Sequence, residues 1–173
     1  MLTLDETSAA KLREAVARAS DRADVRNAID ALYVHIQDVI DLRQPVCNAS
    51  GRCCRFEEFG HRLFVTTMEL AVFASKVESI QLATSGCAYQ VGGLCSVHTI
   101  RPFGCRMFYC DPTAAQWQQD QYEYFHAKLR KLHEELKVPY SYVEWREGLR
   151  AVRGMPPGGG CRPARRTALG GRD

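Results

Sequence analysis

Seven cysteines, Cys47, Cys53, Cys54, Cys87, Cys95, Cys105 and Cys110, lie between positions 47 and 110, and two of them are adjacent. A thiolate is a soft, anionic ligand suited to zinc and to iron–sulfur clusters, so a converging group of them points to a metal before it points to packing. All seven are candidate ligands. The eighth, Cys161, stands alone in a glycine- and proline-rich segment and is set aside. An even cysteine count in a small chain also suits a secreted disulfide framework. Against that, the first twenty residues alternate acid and base and contain no apolar segment of the length a secretory leader needs. The expected compartment is therefore the cytoplasm, where thiols stay reduced and bind metals.

The spacing leaves the metal open. There is no C-x2-C pair of a zinc knuckle, no ferredoxin run and no C-x3-C-x2-C arrangement. Long intervals separate the cysteines, so only a tertiary fold can bring them together. Seven thiols exceed the four that one zinc or one iron–sulfur cluster takes, and two closed zinc sites would have to recruit a histidine such as His61 or His98. Adjacent side chains tend to point apart, so Cys53 and Cys54 can serve one site only from an irregular turn. Arg101 and Arg106 flank Cys105. Several thiolates on a divalent metal leave net negative charge, and the two guanidinium groups are expected to offset it and so support the bound cofactor. Holding an anionic substrate is their alternative role. Glu57 and Glu58 are read as solvated surface charge.

The stretch CNASGRCC (47–54), followed by CAYQVGGLCSVHTIRPFGCRMF (87–108), resembles the YkgJ-type cysteine-cluster family of zinc- or iron-chelating proteins. The resemblance covers about the middle third of the chain. It rests on the Cys-Cys end of the first group and on Cys95, His98, Arg101, Pro102, Cys105 and Arg106 in the second. It implies a bound metal. The chain departs at Ser50, where relatives often carry another cysteine, and at His98, where the resembled pattern is commonly aromatic. His98 is accordingly read as a packing group.

No Ser-His-Asp order, phosphate-binding glycine loop or dinucleotide fingerprint is present. The leading expectation is a cytoplasmic metal-binding protein that chelates iron, as an iron–sulfur cluster, or zinc. Two alternatives stay open: a metal-dependent enzyme acting on a protein or peptide, and a thiol-based redox sensor. Of the +3 net charge, all resides in residues 154–173, where four arginines face Asp173. The body thus offers no basic footprint for nucleic acid, and no run is long enough to span a membrane. Partners are the metal or cluster, a protein or peptide, and a second copy through the apolar stripe of the first helical region.

The elements that must position these thiols are mostly helical. Val25, Ile29, Leu32, Ile36 and Val39 recur at steps of four and three, which predicts a helix over 24–42 after a shorter one near 8–19. Leu63, Phe64 and Val65 suggest a strand. Thr66 and Glu69 have capping-box spacing and start a helix to about Lys76. Residues 88–91 and 94–97 flank Gly92-Gly93, a two-residue hairpin signature that would carry Cys87 and Cys95. Asp111-Pro112 opens a long helix with Tyr122, Phe125, Leu129, Leu132 and Leu136 on one face. Ser141 and Glu144 repeat the capping-box spacing for a last helix to about Val152. The predicted fold is α+β and mainly helical, with helices flanking a small irregular metal-organised centre that holds a β-hairpin. Its segments are a helical 1–45, a cysteine-cluster domain 46–153 and a flexible basic tail 154–173.

Overall fold

The computed structural model describes residues 3–155. The expected tail from 156 onward, with Cys161, lies outside the described residues. The fold is a mainly helical α+β fold with two small antiparallel strand pairs.

Two helices begin it. α1 (Glu6–Ser20) starts at Asp5, whose carboxylate accepts the Ser8 backbone N–H at 2.9 Å, so one otherwise unpaired amide of the first turn is satisfied. α2 (Ala23–Arg43) buries Val25, Ile29, Leu32 and Ile36 as their spacing requires. Val39 is only half-buried, and Tyr33 and Ile40 join the buried stripe instead. Seven residues of a straight helix fall about 20° short of two full turns, so the buried face drifts along it. That stripe is taken up by packing within the chain. Gln44, in the left-handed region at φ 51°, ends α2.

β1 (Phe64–Thr66) leads directly into α3 (Thr67–Lys76). The capping box is formed: the Thr66 hydroxyl accepts the Glu69 N–H, and the Glu69 carboxylate accepts the Thr66 N–H at 2.9 Å. Seven consecutive residues of α3, Thr67 to Phe73, are buried, which makes it the central helix. α1 packs on it from one side and α2 from another. β2 (Gln90–Val91) and β3 (Leu94–Cys95) form the hairpin, with Gly92 and Gly93 at φ 58° and 83° in its turn. The strands are shorter than expected, because after Cys95 the chain leaves the ladder for a turn at His98–Ile100.

α4 (Phe103–Arg106) follows Pro102, and a turn at Pro112–Ala114 capped by Asp111 opens α5 (Ala115–Glu135). Phe125 and Leu129 of its expected stripe are fully buried, while Tyr122, Leu132 and Leu136 border the core. β4 (Tyr142–Glu144) and α6 (Trp145–Val152) complete the chain. Here the Ser141 reading is corrected. Residues 142–144 are extended and pair with β1, in the register Phe64↔Glu144, Val65↔Val143 and Thr66↔Tyr142. The helix starts three residues later than the capping-box spacing suggests, with Glu144 itself as the cap, accepting the Arg146 and Glu147 amides. Ser141 is held instead by Thr67, through hydrogen bonds in both directions.

One apolar core runs from Leu12 to Val152 and includes residues from both sides of position 45. Among the described residues no helix is long and apolar enough to cross a membrane.

Candidate metal centre

The thiols sit where three irregular stretches meet: the loop after α2, the hairpin, and the turn into α4. Gly51, at φ 68°, turns the first loop sharply into a single helical turn at Arg52–Cys54. This is the irregular turn that adjacent ligands require, and it lets Cys53 and Cys54 face one site. The hairpin is fastened to this loop by its backbone. The Cys87 N–H donates to the Cys54 carbonyl at 2.8 Å, and the Gln90 side-chain amide donates to Gly51 O at 3.0 Å and Gly93 O at 3.1 Å. A Cβ on Gly51 would collide with Gly93 O and Gln90 Nε2. The close approach therefore depends on glycine.

Four thiols then converge. Cys54 is buried at the middle, within hydrogen-bonding reach of the thiols of Cys53, Cys87 and Cys95. Those bonds push the Cys54 thiol far above its ordinary range. In return Cys53 is pulled down to about 6, first by the Cys54 hydrogen bond and then by the Arg101 charge. Cys95 is pulled down to about 6 by Cys54, by a backbone amide and by Arg101. Cys87 is also lowered, by Cys54, a backbone hydrogen bond and the Trp145 side chain. Cys105, on α4, is the fifth member. Burial raises it, and the negative charge of Cys87, Cys53 and Cys95 raises it further.

The two remaining thiols stand apart. Cys47 and Cys110 are exposed and line the mouth of a cavity of about 110 Å³, which Cys53, Cys54, Cys95, His98 and Arg101 also line. Cys110 touches Ser50 Oγ at 3.9 Å. The seven candidate ligands thus divide into an inner five and an outer two.

The two arginines also part company. Arg101 lies among the thiols, and its buried Nε has no hydrogen-bond partner. Arg106 is buried, donates to the carbonyls of Arg101 at 3.0 Å and Thr99 at 2.6 Å, and lies 4.1 Å over the Tyr33 ring. Its geometry is that of a brace for the backbone that carries Arg101. His98 is exposed beside the cavity, and desolvation and then the Arg101 and Arg106 charges lower it. His61 stacks on Phe108 at 4.8 Å with Nε2 at 3.3 Å from the Cys53 carbonyl. Glu57 is exposed, yet it is more than solvated charge, because it holds the Gly86 amide and the Arg146 guanidinium.

Spacing gave no sign of Trp145 or Glu69 as supports. Trp145 is 1% exposed, and its indole N–H has no oxygen or nitrogen partner. It interacts with Cys87. A buried tryptophan needs a hydrogen-bond acceptor, and here the Cys87 sulfur is the neighbour suited to it. Glu69, beyond capping α3, accepts the Phe103 N–H at 2.8 Å and so fixes the start of α4, which bears Cys105.

Among the described residues no group of three or more His, Cys, Asp or Glu side chains stands in metal-ligating geometry. The chemistry of the donor set nonetheless suits a cation. Neighbouring thiols raise one another's cost of ionising, and a bound cation removes that cost. The indole N–H of Trp145, beside Cys87, and the unpaired Nε–H of Arg101 are the kind of outer partner that tunes ligating sulfurs. No protein-family model, curated protein or solved structure matches the chain.

Proposed function

We propose that this chain is a cytoplasmic metal-binding protein in which Cys53, Cys54, Cys87 and Cys95 chelate iron, as an iron–sulfur cluster, or zinc. The observation that carries the reading is the contact of three thiols, from two separate loops, with one buried cysteine. Such a contact is costly for unpaired thiolates and favourable around a cation. Arg101 offsets the charge, Trp145 donates to one sulfur, and Cys105 is the adjacent fifth thiol. A bound metal would supply Lewis acidity or one-electron redox capacity. The resemblance of residues 47–54 and 87–108 to the YkgJ-type family accords with this reading.

A second reading, a metal-dependent enzyme acting on a protein or peptide, has one observation in its favour. An open cleft of about 380 Å³ borders the centre through Cys53 and Cys105 and is lined on its far side by Arg62, Gln118 and Tyr122. A segment bound there would reach the thiols directly.

The deciding experiment is metal and acid-labile sulfide analysis, with an absorption spectrum, on protein purified without oxygen. Iron with sulfide and a visible charge-transfer band supports a cluster; stoichiometric zinc in colourless protein supports a zinc site. Protein without either metal, whose free thiols are reversibly lost, sinks the proposal and leaves the redox sensor.

A further inference from the structure

We infer that Cys47 and Cys110 are not ligands of the inner centre but an oxidisable dithiol at its mouth, closing reversibly to a disulfide when a hydroperoxide is present. The inference goes beyond the metal reading and rests on a separate set of contacts. Hydrogen bonds between two chain segments bracket these thiols. Arg43 donates to the Thr113 carbonyl at 3.0 Å, the Val46 N–H donates to the Asp111 carboxylate at 3.1 Å, and Ser50 Oγ lies 3.9 Å from Cys110 Sγ. Cys47 follows Val46 directly, Cys110 precedes Asp111 directly, and both side chains line the same cavity. The two segments therefore run past each other with a cysteine on each at the crossing.

Exposure and isolation give this pair a chemistry that the inner thiols lack. Both are open to solutes, whereas Cys54 is buried. Two thiols and a serine hydroxyl do not by themselves complete a closed four-coordinate zinc or cluster site. A structural or buried thiol is inert toward oxidants, and an exposed one beside a second thiol is not.

The step balances without any further reagent. One thiolate attacks an oxygen of the hydroperoxide, the O–O bond breaks, and a sulfenic acid forms as water or an alcohol leaves. The second thiol then attacks the sulfenic sulfur, the S–O bond breaks, and the hydroxyl departs as water with that thiol's proton. The dithiol loses two electrons and the peroxide gains them. A thiol reductant reverses the change by disulfide exchange. The new bond would tie the loop after α2 to the start of the Pro112 turn across the cavity mouth, above Cys53, Cys54 and Cys95.

The test is peptide mapping of the full-length protein under non-reducing conditions after brief treatment with hydrogen peroxide, with metal content measured on the same samples. The expected result is a Cys47–Cys110 cross-linked peptide that disappears on reduction, with metal content unchanged. In Cys47→Ser, Cys110 should instead be trapped by a sulfenate-specific probe, with metal content equal to that of the parent protein. A cross-link joining either residue to Cys161 or to an inner cysteine overturns the proposal. So does loss of metal from Cys47→Ser or Cys110→Ser, because that outcome makes them ligands. Protein purified without metal sinks the metal reading alone, since the cross-link is scored by peptide identity.

Discussion

The helical body and the thiol-bearing loops are held together in different ways. The body, α1 to α3 with α5 and α6, buries wholly inaccessible apolar side chains on every element: Val16, Ile29, Met68, Leu70, Phe125 and Val152 are all 0% exposed. Each such side chain contributes roughly 1.5–3 kcal/mol by leaving water. The loops between α2 and β1, and between α3 and α4, bury few: Pro45, Cys54, Phe56 and Leu63 in the first, Tyr89 and Pro102 in the second. Their only strands are two residues long. What joins them is a handful of backbone and amide hydrogen bonds and the contact of the thiols. The body can fold on apolar area, whereas the loops need local ties, and a metal would be the strongest of those ties.

The sharpest way to break this comparison is Cys54→Ser. It removes the thiol common to all the inner contacts and should abolish metal binding. Amide hydrogen exchange in 47–61 and 84–101 should then accelerate by at least ~10-fold, with α1, α3 and α6 unchanged. Equal loss of protection in those helices would show that the two regions unfold as one. Trp145 belongs to both regions, packing on Phe73 at 4.8 Å while facing Cys87. Trp145→Ala should cost about 3–5 kcal/mol in denaturant unfolding. Trp145→Phe, which keeps a ring and removes the N–H, should leave most of that stability yet weaken metal binding by ~10-fold or more. If the phenylalanine variant binds metal like the parent, the indole serves the core only.

Gly51→Ala tests the joint inside the loops. The left-handed backbone and the collision with Gly93 and Gln90 together should cost about 2 kcal/mol or more, read as a lowered denaturation midpoint with reduced metal content. A smaller effect falls on Glu69, a buried carboxylate that joins α3 to α4. Its burial raises it above the ordinary glutamate value of 4.5. Between that value and the raised one the folded state binds more protons than the unfolded state, so this residue's contribution falls as pH rises through the window. Glu69→Gln should flatten that slope in stability curves and cost about 1–3 kcal/mol for the donors left poorly matched. Smallest is Arg18→Ala on the exposed face of α1, which breaks only the pair with Glu14 and should change stability by less than ~0.5 kcal/mol.

Much of the body was legible because its signals are local. The Val25–Ile29–Leu32–Ile36 spacing, the Thr66–Glu69 cap and the Asp111-Pro112 start each act within a turn or two of backbone, where residue type is decisive. Gly92-Gly93 likewise called for a hairpin whatever surrounds it. Where the reading failed, a distant partner had overruled a local preference. Residues 142–144 form a strand because β1 lies beside them, although Ser141 and Glu144 have the spacing of a cap. Arg106 reads as a charge beside Cys105, but Tyr33 and two carbonyls receive it. The partition of the thiols into five and two was equally hidden, since chain spacing does not report which loops cross.

By itself, then, the sequence determined the helical class of the fold, the positions of its turns and a soft-donor chemistry, because periodicity, capping and ligand type are properties of short segments. Only the tertiary structure decided which thiols meet, which arginine accompanies them and which tryptophan backs them. Those choices depend on loops brought together by the burial of side chains far away in the sequence.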